Sequence, residues 1–312
     1  MLNPSISVAI CTWNRAESLR RTLQELTHLL VAPSINWELI VINNNSSDHT
    51  DKVVQSFADR LPIKPVFEPV AGLSSARNAA IDNAAGDYVV WTDDDVTVDR
   101  HWLTAYYSAF VRRADVAFFG GKIVPQFEGG IRPWVRAAWP LVKDAFAERD
   151  LGPEERSLPT HKNEFPYGAN YAVRMVEQRQ YRYDPTKGNS QNTLSGGEET
   201  AVMARIASEG GHGYWVPDSR VYHRIEAARQ SKSFLAQYFR SRGAHAARNS
   251  SALTLTCGCP RWLYRQWFLA EIRYRWLSLT GSPERWVQAL RDVSRVRGSL
   301  DFCRGKAHRP RD

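Results

Sequence analysis

The sequence predicts an α/β protein with a mostly parallel central sheet, followed by a helical C-terminal extension. Short runs rich in β-forming residues alternate with helical runs from residue 5 to about residue 119, which is the pattern of β-α-β units. Polar residues cluster directly after three of the strand-like runs. From Arg224 onward, apolar residues recur mainly at helical spacing. These three observations together define the predicted fold class.

The elements of the predicted sheet follow one another along the chain. Strands are predicted at residues 7–12, 38–43, 63–68, 87–92, 116–119 and 214–216. A helix after the first strand is indicated by the spacing of Leu19, Leu23, Leu26 and Leu30. Further helical patterns occupy residues 48–58, 74–84, 101–112 and 200–208. Ligands of such sheets bind outside the carboxyl ends of the strands, so the residues that follow the strands are the candidates for function.

Three polar clusters stand at the carboxyl ends of predicted strands. They are Thr12-Trp13-Asn14-Arg15, Asn43-Asn44-Asn45-Ser46 and Asp93-Asp94-Asp95. Neighbouring strand ends meet at one edge of a sheet, so we expect the three clusters to line one crevice. Because Asn, Asp and Ser are also favoured in turns, ordinary solvated turns are the alternative interpretation of the first two clusters.

The acidic triplet Asp93-Asp94-Asp95 is the strongest local signal for chemistry. Three consecutive carboxylates after a buried strand repel one another and lose hydration unless a cation neutralises them. Carboxylate oxygens suit Mg²⁺ or Mn²⁺, which commonly bind through one or two protein carboxylates together with substrate phosphates. The sequence therefore predicts a divalent-cation site. A solvated acidic turn, or an N-cap for the following helix, is the alternative.

Arg77, the pair Glu198-Glu199 and His223 are further candidates. Arg77 stands in the first turn of a largely apolar helix, where it either binds a phosphate or is an ordinary surface arginine. Glu198 and Glu199 follow two glycines at a helix start, where they either favour the helix dipole or supply a general base. His223 follows a strand-like run and is either a metal ligand or a core histidine.

The charge of the chain is concentrated in its C-terminal region. The net charge is +8, yet residues 224–312 carry 18 Lys/Arg against 6 Asp/Glu, whereas residues 1–223 carry 23 against 27. A basic region of this kind is expected to meet an anionic partner, either a membrane surface or nucleic acid. The four cysteines form neither a disulfide framework nor a CxxC pair, which favours a reducing compartment.

The segment 260–279 is predicted to be a helix with two different sides. One side carries an apolar stripe formed by Leu263, Trp267, Ala270, Tyr274 and Leu277. The other side carries Arg261, Arg265 and Arg275. This mixture is typical of a helix lying on anionic lipid, and a packed helix with extended arginines is the alternative. With no apparent signal peptide and no apolar run of ~20 residues, we expect a cytoplasmic protein, peripheral on the cytoplasmic face of the membrane if the helix binds lipid.

In order and spacing, these motifs resemble glycosyltransferase family 2, the inverting enzymes of the GT-A fold, from Ser5 to about His223. The segment 11–15 resembles the family's T-Y-N-R element, and the segment 41–48 its V-V-D-D-G-S-x-D element, with Asn43 and Asn44 in place of the usual acids. The segment 73–81 matches the G-x-x-x-A-R-N helix, and the acidic triplet matches D-x-D. The segment 167–172 resembles G-x-N-x-A, and Gly197-Glu198-Glu199 resembles G-E-D, with Glu199 in place of Asp. Six elements in register make coincidence improbable.

The resemblance implies a reaction and a set of roles. A nucleotide-diphospho-sugar, in the first instance a UDP-sugar, would donate its sugar to a hydroxyl of a glycan or lipid-linked acceptor. Asp95 would bind Mg²⁺ or Mn²⁺, with Asp93 and His223 as further metal candidates, and Glu199 would be the general base, with Glu198 as the second candidate. The nucleotide-sugar would contact Thr12, Trp13, Asn14, Arg15, Asn44, Arg77, Asp93 and Asp94.

The same comparison predicts the domain organisation. Residues 1–223 would form the GT-A domain, with a nucleotide-binding half at about 1–120 and an acceptor half at about 121–223, and residues 224–312 would form the basic helical extension. Two other functions compete with this interpretation. A nucleotidyltransferase would favour a glycine-rich loop with a lysine near the N-terminus, which residues 11–21 lack. A non-catalytic nucleic-acid-binding protein would act through the basic extension, whereas the enzyme is not expected to bind nucleic acid.

Overall fold

A computed structural model describes residues 3–159, 164–185, 197–248, 250 and 259–307. The chain divides into two compact units. The first unit comprises residues 1–126, 147–192 and 196–224, and the second comprises residues 127–146, 193–195 and 225–312. Residues 127–146 thus group with the C-terminal helices, although they stand between strands of the first unit in sequence.

The first unit is built on a sheet of nine strands within the described residues. The strands are β1 (Ile6–Thr12), β2 (Trp37–Asn43), β3 (Ile63–Phe67), β4 (Tyr88–Asp93), β5 (Val96–Val98), β6 (Phe118–Phe127), β7 (Arg156–Leu158), β8 (Asn170–Arg174) and β9 (Gly213–Ile225). Their spatial order is β3-β2-β1-β4-β8-β6-β9-β5, with β7 beside β9. The pairs β1/β2, β1/β4 and β2/β3 are parallel, whereas β8 is antiparallel to β4 and β6, and β9 to β5 and β7.

The helices follow the predicted alternation with the strands. They are α1 (Ala16–Leu26), α2 (Thr50–Gln55), α3 (Leu73–Asn83), α4 (Trp102–Arg112), α5 (Pro133–Ala137), α6 (Trp139–Val142), α7 (Met175–Gln180), α8 (Glu198–Ser208), α9 (Lys232–Arg248), α10 (Arg261–Thr280) and α11 (Pro283–Ala307). Helices α5, α6 and α9 to α11 lie in the second unit. The predicted α/β fold is confirmed, with its parallel central strands in the order β3-β2-β1-β4 and a helical C-terminus.

Both faces of the sheet in the first unit are covered by apolar side chains. Val8 and Ile10 of β1 belong to one core cluster, together with side chains of α1 and α4. Ala9, between them, belongs to a second cluster with Ala76 and Ala80 of α3. Successive strand residues point to opposite faces, so continuous burial along β1 is the pattern of a parallel strand inside a two-sided layer.

The second unit is held together by close helix packing. An added Cβ at Gly243 of α9 would lie 2.0 Å from the carbonyl oxygen of Arg295, and one at Gly298 of α11 would lie 1.9 Å from that of Arg240. Each glycine therefore lets the opposite helix backbone approach where no side chain would fit. No helix in the described part of the chain is both long and apolar enough to cross a membrane.

Candidate active site

The acidic triplet lies at the end of β4 and in the turn to β5, and Arg15 binds it from the loop after β1. Arg15 Nη1 donates to Asp94 Oδ1 at 2.7 Å, and Arg15 Nη2 donates to Asp95 Oδ2 at 2.9 Å. Thr12 Oγ1 donates to Asp94 Oδ2 at 2.7 Å. Since β1 and β4 are parallel neighbours, two of the predicted strand-end clusters are joined directly.

The carboxylates of this triplet are buried at high electrostatic cost. Burial and, to a smaller extent, the charge of Asp95 raise the pKa of Asp94 to about 7, and the positive charge of Arg15 opposes this rise. Burial disfavours the charged form of Arg15 as well, but the two aspartates hold the pKa of Arg15 above its usual range. The Arg15 side chain is 36% exposed, so its guanidinium can exchange these partners for water or for another anion.

His223 lies beside the triplet on β9. The antiparallel register of β5 and β9 places His223 opposite Val96. Its Nε2 atom lies 3.3 Å from Asp95 Oδ1. An imidazole nitrogen and a carboxylate oxygen are both donors that Mn²⁺ accepts. No group of three or more His, Cys, Asp or Glu side chains among the described residues is arranged to hold a metal ion. A bound cation would therefore take further oxygen ligands from the substrate or from water.

Arg224 fixes the turn that carries the triplet. Its amide donates to the carbonyl of Asp95 at 2.9 Å, and its guanidinium donates to the carbonyl of Val96 at 2.6 Å and to Thr22 Oγ1 at 2.7 Å. In the sequence, Arg224 stands out only as the first charge of the basic region. Its position next to His223 is the one signal that could have indicated this role.

Arg77 lies on α3 and is buried beside the start of α8. Its Nη1 atom donates to Glu198 Oε1 at 2.8 Å and lies 3.6 Å from Glu199 Oε2. The guanidinium carbon lies 5.2 Å from the ring centroid of Tyr183 and 6.0 Å from that of Trp91. The side chains of Arg77 and Glu198 are 4% and 3% exposed, whereas that of Glu199 is 13% exposed. The guanidinium thus faces the two acids, and its predicted phosphate contact remains a prediction.

Glycines make room for this arrangement. Gly197 precedes α8 with a φ of +103°, in the left-handed region that favours glycine. An added Cβ at Gly168 would lie 3.0 Å from Arg77 Nη2 and 3.6 Å from Glu199 Oε1. The absence of a side chain at Gly168 therefore leaves space next to both charged groups. The other glycine of the predicted helix start, Gly196, lies outside the described residues.

Asp93 connects the triplet electrostatically to the glutamate pair. Burial raises the pKa of Asp93, and the negative charge of Asp95 raises it further. The charges of Arg77, His223 and Arg15 lower it. Burial likewise raises the pKa of Glu199. The charge of Glu198 raises that pKa further, Arg77 lowers it, and Asp93 contributes a smaller increase. Because charge interactions weaken with distance, the effect of Asp93 on Glu199 and the effect of Arg77 on both indicate that the two groups of acids belong to one charge cluster.

The loop after β1 also carries Trp13 and Asn14. The Trp13 side chain is 40% exposed at this sheet edge, which is unusual for a large aromatic residue and leaves its ring accessible to a ligand. Asn14 adopts a left-handed backbone conformation with a φ of 52°, which Asn tolerates better than most residues. Its Oδ1 atom accepts a hydrogen bond from the amide of Ser47 at 2.7 Å. The loops after β1 and β2 are therefore tied together.

Asn44 is buried and binds main-chain groups of the segment before α3. Its Nδ2 atom donates to the carbonyls of Glu68 and Val70 at 3.1 and 2.7 Å, and its Oδ1 atom accepts from the amide of Gly72 at 2.8 Å. An aspartate could not donate the first two bonds. This explains why an asparagine occupies position 44, where the family that the chain resembles usually has an acid. The predicted contact of Asn44 with the nucleotide remains a prediction.

Asn170, on β8, is a structural residue that sequence reasoning did not single out. Its Oδ1 atom accepts from Trp102 Nε1 at 2.8 Å and from the Tyr106 hydroxyl at 2.9 Å. Its Nδ2 atom donates to the carbonyls of Lys122 and Ser219 at 3.0 and 2.8 Å. All four hydrogen-bonding positions of the amide are used. The motif at residues 167–172 contains Asn170, but the motif alone did not indicate that this side chain joins α4 to β6 and β9.

Comparison with known proteins yields a family match and several relatives. The family model for Glycosyl transferase family 2 matches residues 7–175, which include the acidic triplet and Arg77 but not Glu198, Glu199 or His223. The succinoglycan biosynthesis protein ExoM of Rhizobium meliloti (strain 1021) is 26% identical over 250 residues, covering 77% of this chain and 74% of ExoM. Validoxylamine A glucosyltransferase of Streptomyces hygroscopicus subsp. limoneus is 35% identical over 108 residues, covering 34% of this chain and 24% of that protein.

Solved structures show the same fold at low sequence identity. The mannosyltransferase PcManGT from Pyrobaculum calidifontis, in complex with GDP-Man and Mn²⁺, aligns with a TM-score of 0.56 and 16% identity over 98% of this chain and 76% of that chain. TarS 1-349 of S. aureus, in complex with UDP-GlcNAc, aligns with a TM-score of 0.56 and 16% identity over 97% of this chain and 88% of that chain. The predicted GT-A fold is thereby confirmed.

Proposed function

Because the chain belongs to glycosyl transferase family 2 and is a glycosyltransferase, we propose that it moves a sugar from a nucleotide-diphospho-sugar to a hydroxyl group with inversion at the anomeric carbon. We propose a UDP-sugar as donor, supported by the UDP-GlcNAc complex of TarS, although PcManGT was solved with GDP-Man. We propose a glycan or lipid-linked acceptor, because the relative ExoM is named as a succinoglycan biosynthesis protein.

The observation that carries this proposal is the shared charge cluster at the carboxyl ends of β1 and β4. The triplet and the glutamate pair come from segments about 100 residues apart in sequence, yet the charge of Asp93 raises the pKa of Glu199, and Arg77 lowers the pKa of both Asp93 and Glu199. A donor with its diphosphate at the triplet would bring its anomeric carbon towards the glutamate pair. The transfer needs the two groups close together, because the acceptor oxygen attacks the same carbon that the diphosphate leaves.

Glu199 is the proposed general base. Its side chain is more exposed than that of Glu198, which Arg77 holds at 2.8 Å. The raised pKa of Glu199 makes its carboxylate a stronger proton acceptor than an ordinary one. Glu199 would take the proton from the acceptor hydroxyl as the oxygen attacks the anomeric carbon. The bond from that carbon to the diphosphate oxygen breaks on the opposite face, leaving an inverted glycoside and a nucleoside diphosphate.

The triplet and His223 fit a divalent cation by the chemistry of their donor atoms. Asp95 and His223 would hold Mg²⁺ or Mn²⁺, with Asp93 as a further candidate, and the neighbouring Mn²⁺ complex of PcManGT supports the choice of ion. The bound ion would act as a Lewis acid that stabilises negative charge on the leaving diphosphate. Arg15, which neutralises Asp94 and Asp95 in this structure, would then be free to bind phosphate oxygens.

The remaining donor contacts follow from position. Trp13 would stack on the nucleotide base, and Thr12 and Asn14 would shape the loop beneath it. For Arg77 we propose a positioning function, because burial between Glu198 and two aromatic rings leaves its guanidinium committed to the acids. It would hold Glu198 in place and keep part of the Glu199 population ionised.

Release of nucleoside diphosphate from a panel of nucleotide-sugars, with Mn²⁺ or Mg²⁺, tests the proposal directly. Turnover should occur with at least one UDP-sugar and should disappear on addition of a chelator. Asp95→Ala and Glu199→Gln should each abolish most of it, whereas Asp115→Asn, at an exposed acid on the surface, should not. NMR of the product should show the inverted anomer. Turnover that survives both site substitutions would refute the assignment of these residues.

A further inference from the structure

Helix α10 exposes a broad apolar surface on the side that faces away from its unit. Its inward side contributes the buried Leu263 and Leu277, which lie on the stripe predicted from sequence. Seven large apolar side chains of the same helix are nevertheless exposed: Trp262, Tyr264, Phe268, Leu269, Ile272, Trp276 and Leu279. Positions 262, 269, 272, 276 and 279 recur at steps of three, four and seven, so they share one helix face. The sequence pattern had placed Arg261, Arg265 and Arg275 on that side, with Phe268 and Ile272 interrupting it.

This apolar outward face needs a partner. Leu279 is 88% exposed and Trp276 is 64% exposed, and they belong to a contiguous row rather than to scattered positions. Single exposed apolar residues are normal on a protein surface, whereas a contiguous patch marks an interaction site. A helix that is apolar on both sides is expected to be covered on both sides.

The charges on α10 indicate an anionic partner. The exposed residues of the helix include Arg261, Arg265, Arg273 and Arg275, and its acidic residue Glu271 is bonded to Arg275 at 2.9 Å. The helix therefore presents a net positive charge on the same surface as its aromatic and aliphatic side chains. A second copy of the chain would oppose arginine with arginine across a symmetric interface, which is unfavourable.

We propose that α10 lies in the plane of an anionic lipid surface, with its outward apolar row in the acyl boundary and its arginines at the phosphates. Trp and Tyr favour this depth because their rings are apolar at one end and polar at the other. The helix, of about 30 Å at 1.5 Å per residue, is not among those able to cross a membrane. Nucleic acid would pair with the arginines but would gain nothing from Leu269, Ile272 or Leu279. The inference is independent of the proposed sugar transfer.

Vesicle flotation of the full chain tests this directly, without donor, acceptor or metal. We expect the protein to float with phosphatidylcholine vesicles containing phosphatidylglycerol, and not with phosphatidylcholine alone. Leu269→Ser/Ile272→Ser should weaken binding by about thirty-fold or more, since two buried aliphatic side chains are lost. Arg261→Gln/Arg265→Gln should weaken it by about twenty-fold, and more so at low salt.

Matched substitutions outside α10 supply the control. Leu30→Ser/Val176→Ser removes two exposed aliphatic side chains of the first unit, and Arg20→Gln/Arg100→Gln removes two exposed arginines there. Neither should change flotation, and thermal unfolding should confirm that every variant folds. The proposal is overturned if the chain does not float with anionic vesicles, or if the control pairs reduce flotation as much as the α10 pairs. It is equally overturned if light scattering shows a dimer that the α10 substitutions dissociate, or if the α10 row is needed for binding of single-stranded DNA but not of vesicles.

Discussion

Two arginines of the first unit each neutralise a group of buried acids, and they differ in how firmly they are held. Arg15 reaches the acidic triplet from a loop and is 36% exposed. Arg77 reaches Glu198 from within a helix, is 4% exposed, and also lies against Tyr183 and Trp91. Both sites thus pair an arginine with buried carboxylates, but water reaches Arg15 and does not reach Arg77.

This difference separates an exchangeable site from a fixed one. Ion pairs whose two partners both reach solvent contribute about 0 to 1 kcal/mol to stability. The Arg15 pairs are intermediate, because Arg15 reaches solvent while Asp94 and Asp95 are buried. Removing one partner of a fully buried pair costs about 3 to 5 kcal/mol, because the other charge stays buried without compensation. In the proposed mechanism, Arg15 would therefore give up Asp95 to a metal ion and bind the diphosphate, and Arg77 would keep Glu198 in place.

The largest expected effect is on the exchangeable site. Asp95→Ala should reduce nucleoside diphosphate release by about 10³- to 10⁴-fold, because the stabilisation of charge on the leaving group is lost. The fold should survive, since Asp95 raises the pKa of both Asp93 and Asp94 and its removal relieves that repulsion. Steady-state turnover at saturating Mn²⁺, with circular dichroism for the fold, measures both. An Asp95→Ala enzyme with wild-type turnover would exclude this residue as the metal ligand.

Glu199→Gln should have the next largest effect. The loss of a general base costs about 10²- to 10³-fold in kcat, while donor binding should be nearly unchanged. The amide keeps the size of the side chain, so the effect reports the missing proton acceptor rather than a cavity. Kinetics with varied acceptor and isothermal titration of the nucleotide-sugar distinguish the two. Weaker donor binding with an unchanged kcat would assign Glu199 to the donor site instead.

Arg77→Met tests the fixed site through stability. We expect a loss of about 3 to 5 kcal/mol in the free energy of unfolding, because Glu198 would be left buried beside Glu199 without a positive charge. Urea denaturation followed by tryptophan fluorescence measures the loss. The double variant Arg77→Met/Glu198→Met removes both charges and should recover a large part of it. A single variant as stable as the wild type would show that the pair is not fixed as described.

The fold was predictable from local patterns, whereas the pairing of charges was not; only the family resemblance grouped His223 with Asp95, as candidates for one metal site. The alternation of strands and helices, and the polar clusters after them, are properties of short segments such as 7–12 and 87–93. Contact between Arg77 and Glu198 joins residues 121 positions apart, and contact between His223 and Asp95 depends on the antiparallel register of β5 and β9. A local sequence pattern contains neither the contact between residues that are far apart in the chain nor the register of two paired strands.

Some features were missed because one signal concealed another. On α10, the arginines suggested a polar side, although exposed aromatic and aliphatic residues lie between them on the same side. At Asn44, the resemblance predicted a nucleotide contact, which stays a prediction, and gave no sign of the three main-chain hydrogen bonds that the amide makes. Arg224 was counted as part of a charge run, although it binds the turn beside the triplet.

Arg15→Met provides the counterpart to the buried arginine. We expect a smaller loss in the free energy of unfolding than in Arg77→Met, because water reaches the partly exposed guanidinium and the pKa of Asp94, raised to about 7, lets that carboxyl take up a proton near neutral pH. The KM for the donor should rise, because one phosphate partner is lost. Urea denaturation in parallel with Arg77→Met makes the comparison direct. Equal stability losses in the two variants would remove the proposed distinction between an exchangeable and a fixed pair.

The smallest expected effect is a shift in pH dependence. Burial raises the pKa of Glu199. A protonated carboxyl cannot take the proton of the acceptor hydroxyl. As the pH is lowered, kcat should therefore begin to fall at a higher pH than it would with an ordinary glutamate as the base. The negative charge of Glu198 contributes to that rise and the positive charge of Arg77 opposes it. Glu198→Gln removes the first effect and keeps the second, so the acid limb of the kcat profile should move to lower pH, by about one unit or less. Glu155→Gln, at a surface ion pair with Arg112, is the matched substitution and should leave the limb in place. An acid limb that moves to higher pH in Glu198→Gln would contradict Glu199 as the base, because loss of a neighbouring negative charge can only ease its ionisation.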